Sequence, residues 1–93
     1  MTTEQKGLML QTAYQYMNEA KERYDVYAMM HDRLTTLEAH FHGNTRQCSI
    51  VEGEKNRITI LRRDAFTIWK KAQFDYDYVK SIPVTEQSPA ESV

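Results

Sequence analysis

From Thr3 to His42 the chain has no proline and only one glycine, Gly7. A stretch of that length without a breaker is incompatible with a turn-rich β fold and is long for any single strand. Within it Leu10, Ala13, Met17, Ala20, Tyr24, Tyr27, His31, Leu34, Glu38 and Phe41 recur at alternating spacings of three and four. That rhythm returns a residue to the same side of an α-helix every two turns, and all but His31 and Glu38 are apolar, so the spacing predicts one helix face turned to a core. Met9, Tyr16, Met30 and Leu37 widen the stripe on one flank. Thr2-x-x-Gln5 has the spacing of a capping box, and Gly43-Asn44 straight after His42 suits a left-handed stop. At 1.5 Å per residue the predicted helix, about 3–42, is roughly 60 Å long, with a kink expected near Gly7.

A second helix is predicted over about 50–80. Ile58, Leu61, Ala65, Ile68, Ala72 and Val79 carry the three-four rhythm, and Ser49-x-x-Glu52 offers a capping box that would start it at Ile50. The competing reading is a short β-hairpin, 48–51 paired with 57–61, because Ile58 and Ile60 flank Thr59 in strand-like alternation. Ser81-Ile82-Pro83 ends the helix, and the polar residues after it hold too few apolar groups to offset their ordering entropy. The expected organisation is therefore a hairpin domain over 1–82 and a flexible polar tail over 83–93. The fold class is all-α, a long antiparallel helical hairpin.

Two helices bury only the seam between them, and both carry apolar groups beyond one seam. Phe66, Trp69 and Tyr76 fall on a stripe displaced from the Ile58–Ala72 line, and Tyr14, Tyr16, Tyr24, Tyr27 and Met30 flank or join the line on the first helix. An exposed patch of that size marks an interface. Tyr14, Tyr16, Tyr24, Tyr27, Met30, Phe66, Trp69 and Tyr76 are thus candidate interface residues. The expected partner is a second copy, completing a helical bundle by homo-oligomerisation, with a different protein as the alternative. In an antiparallel hairpin Tyr76 and Tyr78 approach Tyr14 and Tyr16.

Charge sets further bounds. The formal net charge of −1 predicts no bulk attraction to nucleic acid or to a membrane surface, and no stretch approaches the roughly 18 apolar residues of a membrane span. Yet residues 55–71 hold Lys55, Arg57, Arg62, Arg63, Lys70 and Lys71 against Asp64 alone. Arg57, Arg62, Arg63, Lys70 and Lys71 around Trp69 are candidate phosphate-binding groups, since a stacked anionic ligand needs cations for its phosphates and ring faces for its bases. The plainer reading is a solvated helix face whose cations meet Glu22, Asp25 or Asp32 of the first helix.

Cys48 is the single cysteine, which rules out an intrachain disulfide, and the first residues, with Glu4 and Lys6, form no apolar leader. Both features point to a cytoplasmic protein. His40, His42 and Cys48 cluster near the predicted hairpin tip as weak candidate metal ligands, but their spacing matches no zinc pattern, and no cofactor is expected. Cys48 lacks an oriented base, and there is no phosphate-cradling glycine loop, so the chain is read as a non-enzyme. The expected function is that of a small oligomeric helical protein that binds, blocks or scaffolds a partner protein. The alternative is a nucleotide- or nucleic-acid-binding module on the basic, aromatic stripe.

Overall fold

In the computed structural model, which describes residues 1–85, the chain forms two antiparallel helices, α1 (Thr3–His40) and α2 (Thr45–Ser81). The all-α hairpin is as expected. The 48–61 segment lies wholly within α2, so the β-hairpin alternative does not form.

The helix ends explain the boundaries. At the start of α1 the Thr2 hydroxyl accepts from the Gln5 backbone N–H at 3.1 Å, and the Gln5 side chain accepts from the Thr2 N–H at 3.0 Å, completing the predicted capping box. The helix then runs unbroken through Gly7. It stops at His40, two residues early, with Phe41 as its C-cap, and Gly43 takes the left-handed conformation at φ 92°. That positive φ, open to glycine at no steric cost, turns the chain. The next helix begins at once, because the Asn44 side chain accepts from the Gln47 N–H at 3.0 Å. α2 therefore starts five residues before Ile50, and Ser49-x-x-Glu52 lies inside the helix rather than capping it.

The seam of α1 follows the predicted line. The seam of α2 follows it in part: Ile58, Ala65, Ala72 and Val79 are buried as predicted, whereas Leu61 and Ile68 lie beside the seam. Val51, Ile58, Ala65, Ala72 and Val79 are buried, and Cys48, Lys55, Arg62, Trp69 and Tyr76 are half-buried between them, a strict three-four alternation. Ile68, predicted on the seam, is 40 % exposed, whereas Trp69 and Tyr76, predicted beside it, face α1. The cause is phase: Arg62 and Trp69 occupy the alternate seam positions, so Leu61 and Ile68, each one residue before them, fall to the side while Ile58, Ala65, Ala72 and Val79 stay on the seam.

Cross-helix pairs fix the register. The Tyr14 and Tyr76 rings lie 5.8 Å apart, those of Tyr24 and Trp69 5.6 Å apart, and Lys55 reaches the Glu38 carboxylate at 3.2 Å. At the open end Lys6 Nζ donates to the carbonyls of Lys80 and Ile82, each at 2.8 Å, so α1 supplies the cap for the last turn of α2. Thr85 N–H donates to the Met1 carbonyl at 2.8 Å. Pro83–Thr85, expected to be part of a flexible tail, are thus tied to the start of the chain; the rest of the predicted tail, 86–93, lies outside the described residues. No helix is long and apolar enough among these residues to cross a membrane.

The result is a rod. Its Cα radius of gyration is 21.7 Å, against roughly 12 Å for a compact domain of this length. Among the described residues the buried set is small, six side chains of which three are alanine.

Candidate functional site

A two-helix rod has two long flanks, one on each side of the seam, and here they differ in chemistry. Met9, Tyr16 and Asp75 line one groove together with Leu8, Thr12, Ala13 and Val79, which identifies the first flank. Seven-residue steps from Met9 and Tyr16 give Arg23, Met30 and Leu37 on α1, and steps from Asp75 give Ile82, Ile68, Leu61 and Glu54 on α2. In the observed register Met9 runs level with Ile82, Tyr16 with Asp75, Arg23 with Ile68, Met30 with Leu61 and Leu37 with Glu54. Met9, Tyr16, Met30, Leu37 and Ile68 are exposed, and Leu61 and Ile82 half-buried. The groove near the open end encloses about 420 Å³. This flank is apolar along its length, broken by three charges. Glu54 is held by Arg57 at 2.9 Å; Arg23 and Asp75 form no ion pair among the described residues.

The other flank is basic and aromatic. Tyr24, Phe66 and Trp69 form a cluster in which Tyr24 stacks on Trp69 at an interplanar angle of 30° and Phe66 stands edge-on to Trp69 at 83°. Lys70 Nζ lies 4.5 Å from the Trp69 ring centre and 5.5 Å from that of Phe66, and Lys21 lies 5.7 Å from Trp69. Beside the cluster, Arg62, Arg63, Tyr24, Thr59 and Phe66 line a groove of about 340 Å³. Of the basic stretch, Lys55 meets a carboxylate of α1, Glu38 at 3.2 Å, but the three expected partners do not serve: Asp25 pairs with Lys21 of its own helix at 2.9 Å, and Glu22 and Asp32 make no ion pair among the described residues. Arg62, Arg63 and Lys71 likewise have no carboxylate partner there. Arg57 is drawn away from the group by its ion pair with Glu54 at 2.9 Å, whose hydrogen bond and charge also raise its pKa.

The structure thus brings together Arg62, Arg63, Lys70 and Trp69 of the predicted phosphate-binding set, and sets Arg57 apart. It also occupies the tryptophan. The ring that a base would stack on is already stacked by Tyr24 and approached by two ammonium groups. At the tip, Cys48 Sγ is half-buried and donates to the carbonyls of Phe41 at 3.2 Å and Glu38 at 3.8 Å, and the His40 ring contacts Phe41. His40, His42 and Cys48 are not assembled into a metal site; no three His, Cys, Asp or Glu side chains converge among the described residues.

The predicted interface residues are divided among three surfaces. Tyr16 and Met30 lie on the apolar flank. Tyr14, Tyr24, Tyr27, Trp69 and Tyr76 lie in or beside the seam, with Tyr14 half outside it, and Phe66 stands on the basic flank. Tyr78, expected near Tyr14 and Tyr16, is 62 % exposed. Sequence reasoning assigned Leu61 and Ile68 to the seam and so missed their place on the apolar flank, and it passed over Arg23 and Asp75. The available signal was the seven-residue spacing of Met9, Tyr16, Arg23, Met30 and Leu37. No protein-family model, curated protein or solved structure matches this chain.

Proposed function

We propose that this chain is a non-catalytic helical interaction protein that works as a self-associated bundle, two rods joined along their apolar flanks and presenting their basic, aromatic flanks outward to a partner protein. The apolar flank carries the reading. Five exposed and two half-buried apolar side chains on one side of a rod form a patch of the kind that marks an interface. The chain's accessible surface is 7100 Å², whereas a compact monomer of its mass exposes roughly 5600 Å². The excess, on the order of 1500 Å², is spread over the whole rod; a standard interface takes about 800 Å² from each partner. Homo-oligomers are the commonest solution for such a surface in soluble chains.

Sedimentation velocity over a hundredfold concentration range tests this. The wild type is expected to sediment as a dimer or larger species, and Met30→Asp, which places a charge in the middle of the flank, as a monomer that keeps its helicity. A wild type that stays monomeric throughout would sink the proposal.

A second reading is supported by the Arg62–Arg63 groove, whose cations have no described carboxylate partner: binding of a nucleotide or single-stranded nucleic acid. Quenching of Trp69 emission on titration at low salt, lost in Arg62→Glu/Arg63→Glu, supports it. Unchanged emission with mononucleotides and oligonucleotides alike retires it, because Trp69 adjoins the groove through Phe66.

A further inference from the structure

Resting on the reading that the basic flank meets a partner protein, we infer that the segment received there is an acidic amphipathic helix. It lies along α2 with carboxylates against Arg63 and Lys70 and an apolar side chain against Phe66. Arg63 and Lys70 are seven residues apart, and Phe66 stands between them. On a helix those steps form one stripe, with the two cations about 10 Å apart along the axis. The stripe belongs to the basic flank: Arg63 and Phe66 line its groove, and Lys70 lies over the Phe66 and Trp69 rings. All three residues are exposed, Phe66 by 42 %. Arg62, half-buried in the same groove, adds a further positive charge.

The chain's own carboxylates do not cancel this charge. Facing 62–70 on this flank, α1 presents Lys21, which lies over Trp69, and along its outer edge Asp25 and Asp32. Asp25 is taken by Lys21 at 2.9 Å, and Asp32 makes no ion pair among the described residues. Asp64 follows Arg63 in sequence, but that single step turns it about 100° around the helix, away from the groove. Glu52 and Asp77 stand a heptad beyond Thr59 and Lys70, at the two ends of the stretch. Four cations, Lys21, Arg62, Arg63 and Lys70, thus face two carboxylates, in a chain whose net charge is −1. A nucleotide base would need an open ring face. Here Tyr24 stacks on Trp69, and Phe66 stands edge-on to Trp69 with Lys70 over its ring. What remains is cationic points with an apolar ring between them. A helix with acidic residues seven apart and an aliphatic side chain between them meets all of these, packing as a third helix on the open side of a two-helix rod. Charge complementarity selects such a partner, and burial of Phe66 helps to hold it.

A synthetic probe tests this: a dye-labelled, alanine-based helical peptide with two glutamates seven residues apart and a leucine between them, titrated with the full chain by fluorescence anisotropy. The wild type is expected to bind it about tenfold more tightly than an isomer of the same composition with the glutamates five residues apart, which puts them on different sides of the helix. Arg63→Glu/Lys70→Glu, with helicity checked by circular dichroism, is expected to lose the glutamate peptide about tenfold and to gain the matching lysine peptide by a similar factor. Absence of binding by the wild type, equal affinity for the two spacings, or a double variant that does not exchange its preference overturns the inference. A chain that binds single-stranded oligonucleotide but not the peptide overturns it in favour of the nucleotide reading. Met30→Asp, on the opposite flank, is expected to bind the peptide as the wild type does. A chain found to be monomeric therefore sinks self-association and leaves this site standing, whereas failure of the peptide leaves self-association untouched.

Discussion

Ile58 and Ile60 are separated by one residue and have opposite fates: Ile58 is 1 % exposed and Ile60 56 %. On a strand they would share a face, which is why the alternation around Thr59 permits a β reading; on a helix a step of two residues carries them to nearly opposite sides. The energetic consequence follows directly. Ile58→Ala removes methyl groups from the most enclosed large side chain of a thin seam and is expected to cost about 3 kcal/mol in urea unfolding. Ile60→Ala is expected to stay within about 0.5 kcal/mol. Equal costs would mean that 57–61 is not helical in solution. The same scale governs Lys6, which donates to two otherwise orphaned carbonyls at the end of α2. Lys6→Met keeps most of the stem's packing and removes both bonds, for an expected loss of about 1 kcal/mol in thermal unfolding.

At the scale of elements the connection between the helices is the informative place. Gly43 and Asn44 were legible as a stop for α1, but Asn44 also starts α2, and the chain turns in four residues rather than the eight or so that Ser49 would have required. Ser49 and Glu52 have the right types and spacing for a capping box, yet backbone N–H groups at those positions already have intrahelical acceptors once Asn44 has nucleated the helix. Spacing alone therefore gave two candidate caps without ranking them. Asn44→Ala is expected to cost about 1 kcal/mol, and Ser49→Ala to change stability within about 0.5 kcal/mol, both by thermal unfolding. The reverse order would place the start of α2 at Ile50. The phase of α2 was harder to read for a related reason. The seam passes through Lys55 and Arg62, whose long stems and polar heads fit a half-buried position, so hydrophobicity marks only part of the true line. Leu61 and Ile68 then look like seam residues until the register set by Tyr14–Tyr76 and Glu38–Lys55 moves them to the flank. α1 offered no such ambiguity, because its seam is apolar at all but two positions.

For the whole molecule, the rod shape ties stability to association. Each layer of a two-helix rod touches only the layers above and below it, so no side chain is enclosed by more than its neighbours along the seam, and alanine supplies half of the buried positions among the described residues. Small residues let the helices approach closely but contribute little apolar area themselves. If the apolar flanks are covered by a second copy, that missing burial is supplied between chains, and unfolding becomes a bimolecular equilibrium whose midpoint rises with concentration. A hundredfold increase in protein stabilises a dimer by about 2.7 kcal/mol. With about 2.1 cal/mol/K of unfolding entropy per residue over both chains, the expected rise in Tm is roughly 7 °C. Calorimetry at two concentrations checks it, with Met30→Asp as the control: that variant is expected to melt at a lower temperature that no longer depends on concentration. A wild-type Tm that is constant over that range would mean that the seam alone holds the hairpin together, and that its exposed apolar flank contributes nothing to folding.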